Sequence, residues 1–114
     1  MNDDLANLTI ATAARQIKAG LLSPVALTEA LLARIEALDP QLDAFLTVTA
    51  EQALSAARKA EQEIAAGRYL GPLHGIPFGL KDIYDTAGIR TTGHSRTAEN
   101  RVPDTDATTT ARLI

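Results

Sequence analysis

Apolar residues recur at helical spacing through the first 66 positions of the chain. The clearest stripe consists of Leu27, Leu31, Ile35 and Leu38. Ser23 and Pro24 precede it and provide a capping hydroxyl and a proline suited to the first helical position. This pattern predicts a helix that ends at Asp39-Pro40, where the proline lacks the N–H that a continuing helix needs.

Two further helices are predicted in the same half. Leu8-Thr9 opens a short helix that ends at Gly20, because glycine readily adopts the left-handed conformation that follows a helix. Thr49 and Gln52 have the spacing of a capping box and begin a helix to about Ala66. Its inward face consists of small residues and one isoleucine: Ala53, Ala57, Ala60 and Ile64.

The pattern changes near Gly67, and six of the seven glycines fall from that residue onward. The predicted elements, in chain order, are a buried strand over Ala44 to Val48, extended or turn dipeptides at Gly71-Pro72 and Ile76-Pro77, a strand over Phe78 to Ile83, a turn at Asp85 to Gly88, and a polar loop over Thr91 to Arg96. Asp104-Thr105-Asp106 predicts the N-cap of a last helix that starts near Ala107. The fold class is therefore α/β: residues 1–66 are mainly helical and residues 67–114 form strands, a loop and the start of a helix.

Composition narrows the classes of function. The 114 residues are 46% apolar, which is enough for a small core, and the absence of cysteine excludes disulfides. The net charge of −3 offers no basic face to nucleic acid. The acidic start has no signal-peptide pattern, and no apolar run reaches the ~18 residues of a membrane span. A cytoplasmic protein is expected.

Lys81 is the strongest candidate for chemistry. It follows an apolar, glycine-punctuated run, where desolvation favours the neutral amine that can accept a proton. Half-neutrality near pH 7 needs the pKa to fall by roughly three units from about 10.4, or ~4 kcal/mol, which full burial can supply. The alternative is a lysine whose stem packs on the run while its ammonium reaches water or pairs with Asp82.

Other catalytic motifs are weaker. Ser95 lies in a segment whose Thr97 replaces the second glycine of a nucleophile elbow. His74 and His94 lack the spacing of a metal-binding pair, and Lys81 is not followed by the Ser or Thr of a phosphate-binding loop. We expect no metal and no other cofactor.

Taken together, these segments resemble the amidase signature family. The residues from Ser23-Pro24 to Phe45 resemble its N-terminal helices, and the run from Gly71 to Asp82 resembles its catalytic-lysine motif. Two later stretches, from Ala87 to Arg96 and from Val102 to Ala107, resemble the loop and helix start that follow. The resemblance implies the N-terminal part of a fold in which helices cover a mixed sheet, within one incomplete domain over residues 1–114.

The resemblance also implies a mechanism of the Ser-cisSer-Lys type. Lys81, as a neutral amine, would draw a proton through one serine from a second serine, which attacks the amide carbonyl. An acyl-enzyme and ammonia or an amine would result, and water would then release the acid. Both serines and the oxyanion hole belong to a Gly/Ser-rich segment with no counterpart here, so the chain alone should hydrolyse no amide. Thr91, Thr92 and Ser95 match a loop near the family's active site, and loop hydrogen bonding is the alternative role for them.

Three functions remain open. The first is a free-standing amidase acting on a small-molecule carboxamide, and the second is the glutamine-hydrolysing component of a tRNA-dependent amidotransferase, with partner subunits. The third is a non-enzymatic fragment or interaction module. Such a piece would associate with further copies as a homo-oligomer, because an incomplete sheet exposes unpaired edges and apolar faces.

Overall fold

The computed structural model describes the backbone from Asp3 to Ile114. Its helices are α1 (Asp3–Ala6), α2 (Ile10–Lys18), α3 (Pro24–Leu42), α4 (Ala50–Ala65) and α5 (Thr108–Leu113), with a 3-10 turn at Arg96–Ala98. The chain forms two compact units, the first ending at Pro77 and the second comprising Phe78–Ile114. In the described part of the chain, no helix is both long and apolar enough to cross a membrane.

Helix α2 begins and ends as the sequence predicts. The Thr9 hydroxyl accepts the N–H of Thr12 at 3.1 Å, which satisfies one of the free donors of the first turn. Gly20 follows the C-cap with φ of +72°. Its N–H donates to Ile17 O, and the N–H of Leu21 donates to Gln16 O, which together form a Schellman motif.

Helix α3 begins at the predicted cap but extends past the predicted end. The Ser23 hydroxyl accepts the Ala26 N–H at 3.2 Å. The prediction that Asp39-Pro40 ends the helix is wrong, because Pro40 lies inside a helix that continues to Leu42. The Asp39 carboxylate accepts the N–H groups of Ala44 and Phe45, so it ties down the chain that leaves the helix. A proline in the last turn removes only one hydrogen bond there.

The first unit has its core where α2, α3 and α4 meet. Its buried centre consists of Ala13, Ile17, Leu22 and Leu27, with Leu5, Leu8, Leu31, Ile64 and Ile76 packed against it. Helix α4 buries Ala57 and Ala60, as predicted from its face of small residues. The predicted capping box is wrong in one respect: Thr49 is the N-cap residue but its side chain makes no capping hydrogen bond.

Both predicted strands are absent from the described residues. Residues 44–48 form an irregular segment in which Phe45, Leu46 and Val48 are about half exposed, and residues 78–83 run from irregular backbone into a turn. The described part of the chain contains only one isolated antiparallel bridge, between Thr86 and Ile89. A strand needs a neighbour for its backbone N–H and C=O groups, and no segment within these residues pairs with either stretch. The α/β class is therefore supported here only for its helical half.

The second unit is a set of turns tied together by backbone hydrogen bonds. A turn is present one residue later than the predicted Asp85 to Gly88, between the bridge residues Thr86 and Ile89, and Gly88 N–H donates to Pro103 O. Asp106 does not cap α5 as predicted. Its carboxylate instead accepts the Ala87 N–H at 2.7 Å, and Ala107 occupies the N-cap position of the helix.

Candidate functional site

The first part of the glycine-rich segment, residues 71–77, lies against α3 and α4. The His74 ring is the main contact: its Nδ1 accepts the Leu70 N–H at 3.1 Å, and its Nε2 lies 3.0 Å from a Glu63 carboxylate oxygen. Because Nδ1 is an acceptor, the proton of the neutral ring is on Nε2 and is donated to Glu63. The His74 side chain is only 9% exposed, so the pair joins the segment to α4 largely out of water.

Gly75 brings the backbone of this segment close to the start of α3. It has φ of +83°, and a Cβ built there would lie 2.9 Å from Pro24 Cγ and 3.7 Å from Ala60 Cβ. A side chain at this position would therefore collide with the buried proline. Ser23 at the same helix start donates its hydroxyl to Glu61 of α4 in a short hydrogen bond. The start of α3 is thus fixed to both α4 and the glycine-rich segment.

Lys81 lies in the second unit at the start of a tight turn. Its carbonyl accepts the N–H groups of Ile83 at 2.7 Å and Tyr84 at 3.1 Å. The side chain is exposed. Among the described residues no ion pair joins Lys81 to Asp82. The backbone of the lysine is therefore held in place, while its amine is accessible.

Asp82 binds the following polar loop instead. One carboxylate oxygen accepts the Thr92 N–H at 2.9 Å, and the other accepts the Thr92 hydroxyl at 2.5 Å and the His94 N–H at 3.1 Å. The backbone carbonyl of Asp82 accepts the Gly93 N–H at 2.7 Å. The Thr92 hydroxyl, followed by the Thr92 N–H, holds the pKa of Asp82 below its ordinary value although partial burial opposes this.

The polar loop residues have local partners. Thr91 and Thr92 are buried, and Thr91 donates its hydroxyl to Ile89 O at 3.1 Å. Ser95 is exposed and shares a hydrogen bond of 2.7 Å with the Thr97 hydroxyl. The structure thus places Lys81, Asp82 and Thr92 in one hydrogen-bonded neighbourhood of the second unit, and Ser95 outside the contacts of Asp82. A role of Thr91, Thr92 and Ser95 beside a substrate remains a prediction.

An ion pair closes the base of the same loop. Arg101 donates to the two carboxylate oxygens of Asp85 at 2.6 and 2.7 Å and also reaches Thr91 O at 3.3 Å. The hydrogen bond from Arg101 holds the pKa of Asp85 below its ordinary value. Within the residues described, no group of three His, Cys, Asp or Glu side chains is arranged to hold a metal ion.

Two of these contacts are not predicted by the sequence. The sequence suggests Asp82 as a partner of Lys81, and it gives His74 no role, since the two histidines lack the spacing of a metal-binding pair. Each binds a backbone N–H as well as a side chain, and the Asp82 partners lie ten to twelve residues away. The one available signal is the position of Asp82 directly after the lysine, and it does not identify the donors.

The chain is similar to one protein family and to several individual proteins. The amidase family matches residues 26–114. Several A subunits of glutamyl-tRNA(Gln) amidotransferase are similar to it: the one from Geobacter sp. (strain M21) is 50% identical over 110 residues, covering 96% of this chain and 22% of the relative. The Streptomyces coelicolor protein is 48% identical with the same coverage, and that of Chloroflexus aggregans is 46% identical over 97% of this chain and 23% of the relative. The chain thus spans less than a quarter of the length of these relatives.

Proposed function

Because the chain belongs to the amidase family, we propose that the complete enzyme hydrolyses an amide C–N bond with Lys81 as its general base. The neutral amine of Lys81 takes a proton, relayed by one serine, from a second serine that attacks the amide carbonyl. The C–N bond breaks, the proton goes to the departing ammonia or amine, and an acyl-enzyme forms. Water then adds to the ester carbonyl and releases the carboxylic acid and the serine.

The observation that carries this proposal is the family match, which includes Lys81 and its surrounding motif. The local structure supports it, because the backbone of Lys81 is held by the turn that follows and by the fixed neighbour Asp82. The mechanism needs an uncharged amine, and the Lys81 side chain is exposed within the described residues. We therefore propose that parts of the complete enzyme outside these 114 residues cover the amine, since desolvation is what lowers the pKa of a lysine.

Substitution of Lys81 in the complete enzyme tests the proposal. Lys81→Met keeps the aliphatic stem and removes the amine. We expect kcat/KM for a simple carboxamide to fall by about 10²- to 10⁴-fold, which is the rate acceleration that a general base typically contributes. Lys59→Met is the matched control, because Lys59 is an exposed lysine on α4. Activity of Lys81→Met equal to that of the control would exclude the general-base role.

A more specific function is favoured by the relatives. Identity of 44–50% to proteins named as the A subunits of glutamyl-tRNA(Gln) amidotransferase supports the proposal that the amide is glutamine and that the enzyme works with partner subunits. Glutamine hydrolysis that rises when the partner subunits are added would support this function. Turnover of simple carboxamides by the isolated enzyme, with no response to glutamine or to partner subunits, would favour a free-standing amidase instead.

A further inference from the structure

The most densely bonded side chain near Lys81 is the carboxylate of its neighbour. Asp82 receives the Thr92 N–H, the Thr92 hydroxyl and the His94 N–H on its two carboxylate oxygens, while its carbonyl receives the Gly93 N–H. Four donors from three successive loop residues thus converge on one residue. A carboxylate that accepts several N–H and O–H groups is held in one orientation, because charge-assisted hydrogen bonds are short and strong.

These contacts do not serve an ion pair. In the part of the chain that the structure describes, the ion pairs of the second unit include Asp85 with Arg101 but not Asp82 with Lys81. Both oxygens of Asp82 are already engaged by the loop. The carboxylate therefore holds the loop backbone, and it affects Lys81 only through the peptide bond that joins the two residues.

That peptide bond is fixed on both sides. The carbonyl of Lys81 accepts Ile83 and Tyr84 N–H groups, and the residue that follows is bound to Thr92, Gly93 and His94. The two rotatable backbone bonds on either side of this peptide bond, ψ of Lys81 and φ of Asp82, are thereby restricted. The direction in which the lysine side chain leaves the backbone is therefore set. The amine itself retains the freedom of its side chain.

We propose that Asp82 is a positioning residue for Lys81, which orients the general base by tying the backbone beside it to the loop of residues 92–94. The inference rests on the proposed amide hydrolysis. Asp82 touches no substrate in this scheme. A general base must lie within about 2.6–3.2 Å of the proton that it takes, and a displacement of about 1 Å costs on the order of 100-fold in rate.

Asp82→Asn in the complete enzyme is the main test. Asparagine has the same shape but only one acceptor oxygen, so its NH2 group must face one of the backbone N–H donors of Thr92 or His94. We expect kcat per active site, counted from the burst of acyl-enzyme, to fall by about 10- to 100-fold while KM changes little. Asp104→Asn, which changes an exposed aspartate of the same unit, is the control and should keep the parental kcat.

A second variant covers the case in which Asp82→Asn fails to fold. Thr92→Val removes the hydroxyl that donates to Asp82 and accepts the His94 N–H, and it retains the N–H donor and the volume. We expect a smaller loss of kcat in the same direction. The pH at which kcat/KM is half-maximal should stay that of the parent in both variants. A shift in that pH would mean that Asp82 acts through its charge, and it would overturn the positioning role.

A physical measurement separates this inference from the proposed function. In hydrogen–deuterium exchange of the complete protein, the peptide covering residues 92–94 should lose protection in Asp82→Asn and keep it in Lys81→Met. Full activity of Lys81→Met would exclude the general-base proposal, and the exchange result would still stand because it does not depend on the role of Lys81. Asp82→Asn that exchanges faster with parental kcat, or that keeps its protection, would overturn the inference about Asp82.

Discussion

Replacement of Gly75 by alanine tests how closely the glycine-rich segment approaches α3. The added methyl would lie 2.9 Å from Pro24 Cγ and 3.2 Å from Pro24 Cβ, whereas ordinary contact begins at 3.4 Å. Pro24 is buried at the first position of the helix and has no flexible end that could turn away. The segment or the helix must therefore shift to admit the methyl group.

The expected cost has two parts, and Gly67 separates them. Gly75 and Gly67 have φ of +83° and +86°, but a Cβ at Gly67 would meet nothing within 4 Å. Gly67→Ala therefore reports the backbone cost alone, which is roughly 1–2 kcal/mol, reduced by about 0.4–1 kcal/mol because alanine also restricts the unfolded chain. Gly75→Ala adds an overpacking cost of about 1–3 kcal/mol.

Urea unfolding of the parent and both variants, followed by far-ultraviolet circular dichroism, gives the free energies of unfolding. We expect Gly75→Ala to be less stable than Gly67→Ala by about 1–3 kcal/mol. Equal losses of stability in the two variants would refute the reasoning, because they would show that the backbone at Gly75 is not in close contact with Pro24.

Two further predictions concern polar contacts. His74→Ala leaves the Leu70 N–H and the Glu63 carboxylate without their partner and should lower the free energy of unfolding by about 1–3 kcal/mol. His94→Asn is the control: the position is exposed and has positive φ, which asparagine tolerates, so stability should change by no more than about 0.5 kcal/mol. The pKa of Asp85 is lowered in the folded state by the Arg101 hydrogen bond, so its contribution to stability is present above about pH 3.9 and is lost as the pH falls through the lowered folded value. Asp85→Asn should accordingly destabilise the protein at neutral pH, and its unfolding curve should converge with that of the parent in acid. A difference that persists below the folded pKa would contradict the assignment.

The candidate site was predicted in part. The motif around Lys81 identified the candidate base and its family, because residue types and their spacing are properties of the sequence alone. The polar character of the loop with Thr91 and Thr92 was also predicted. The donors that bind Asp82 were not predicted. They lie ten to twelve residues further along the chain, and no periodic sequence pattern indicates a contact over that separation.

The sequence by itself determined where α2 and α3 begin and where α2 ends. The hydrogen bonds that start α2 and α3, and the glycine that ends α2, join residues three to five positions apart, so local residue choice was sufficient. The tertiary structure decided whether residues 44–48 and 78–83 are strands, and where the Asp82 carboxylate and the His74 ring bind. Each of these outcomes depends on partners from other parts of the chain, because a strand edge or a carboxylate gains stability only from the groups that fold against it.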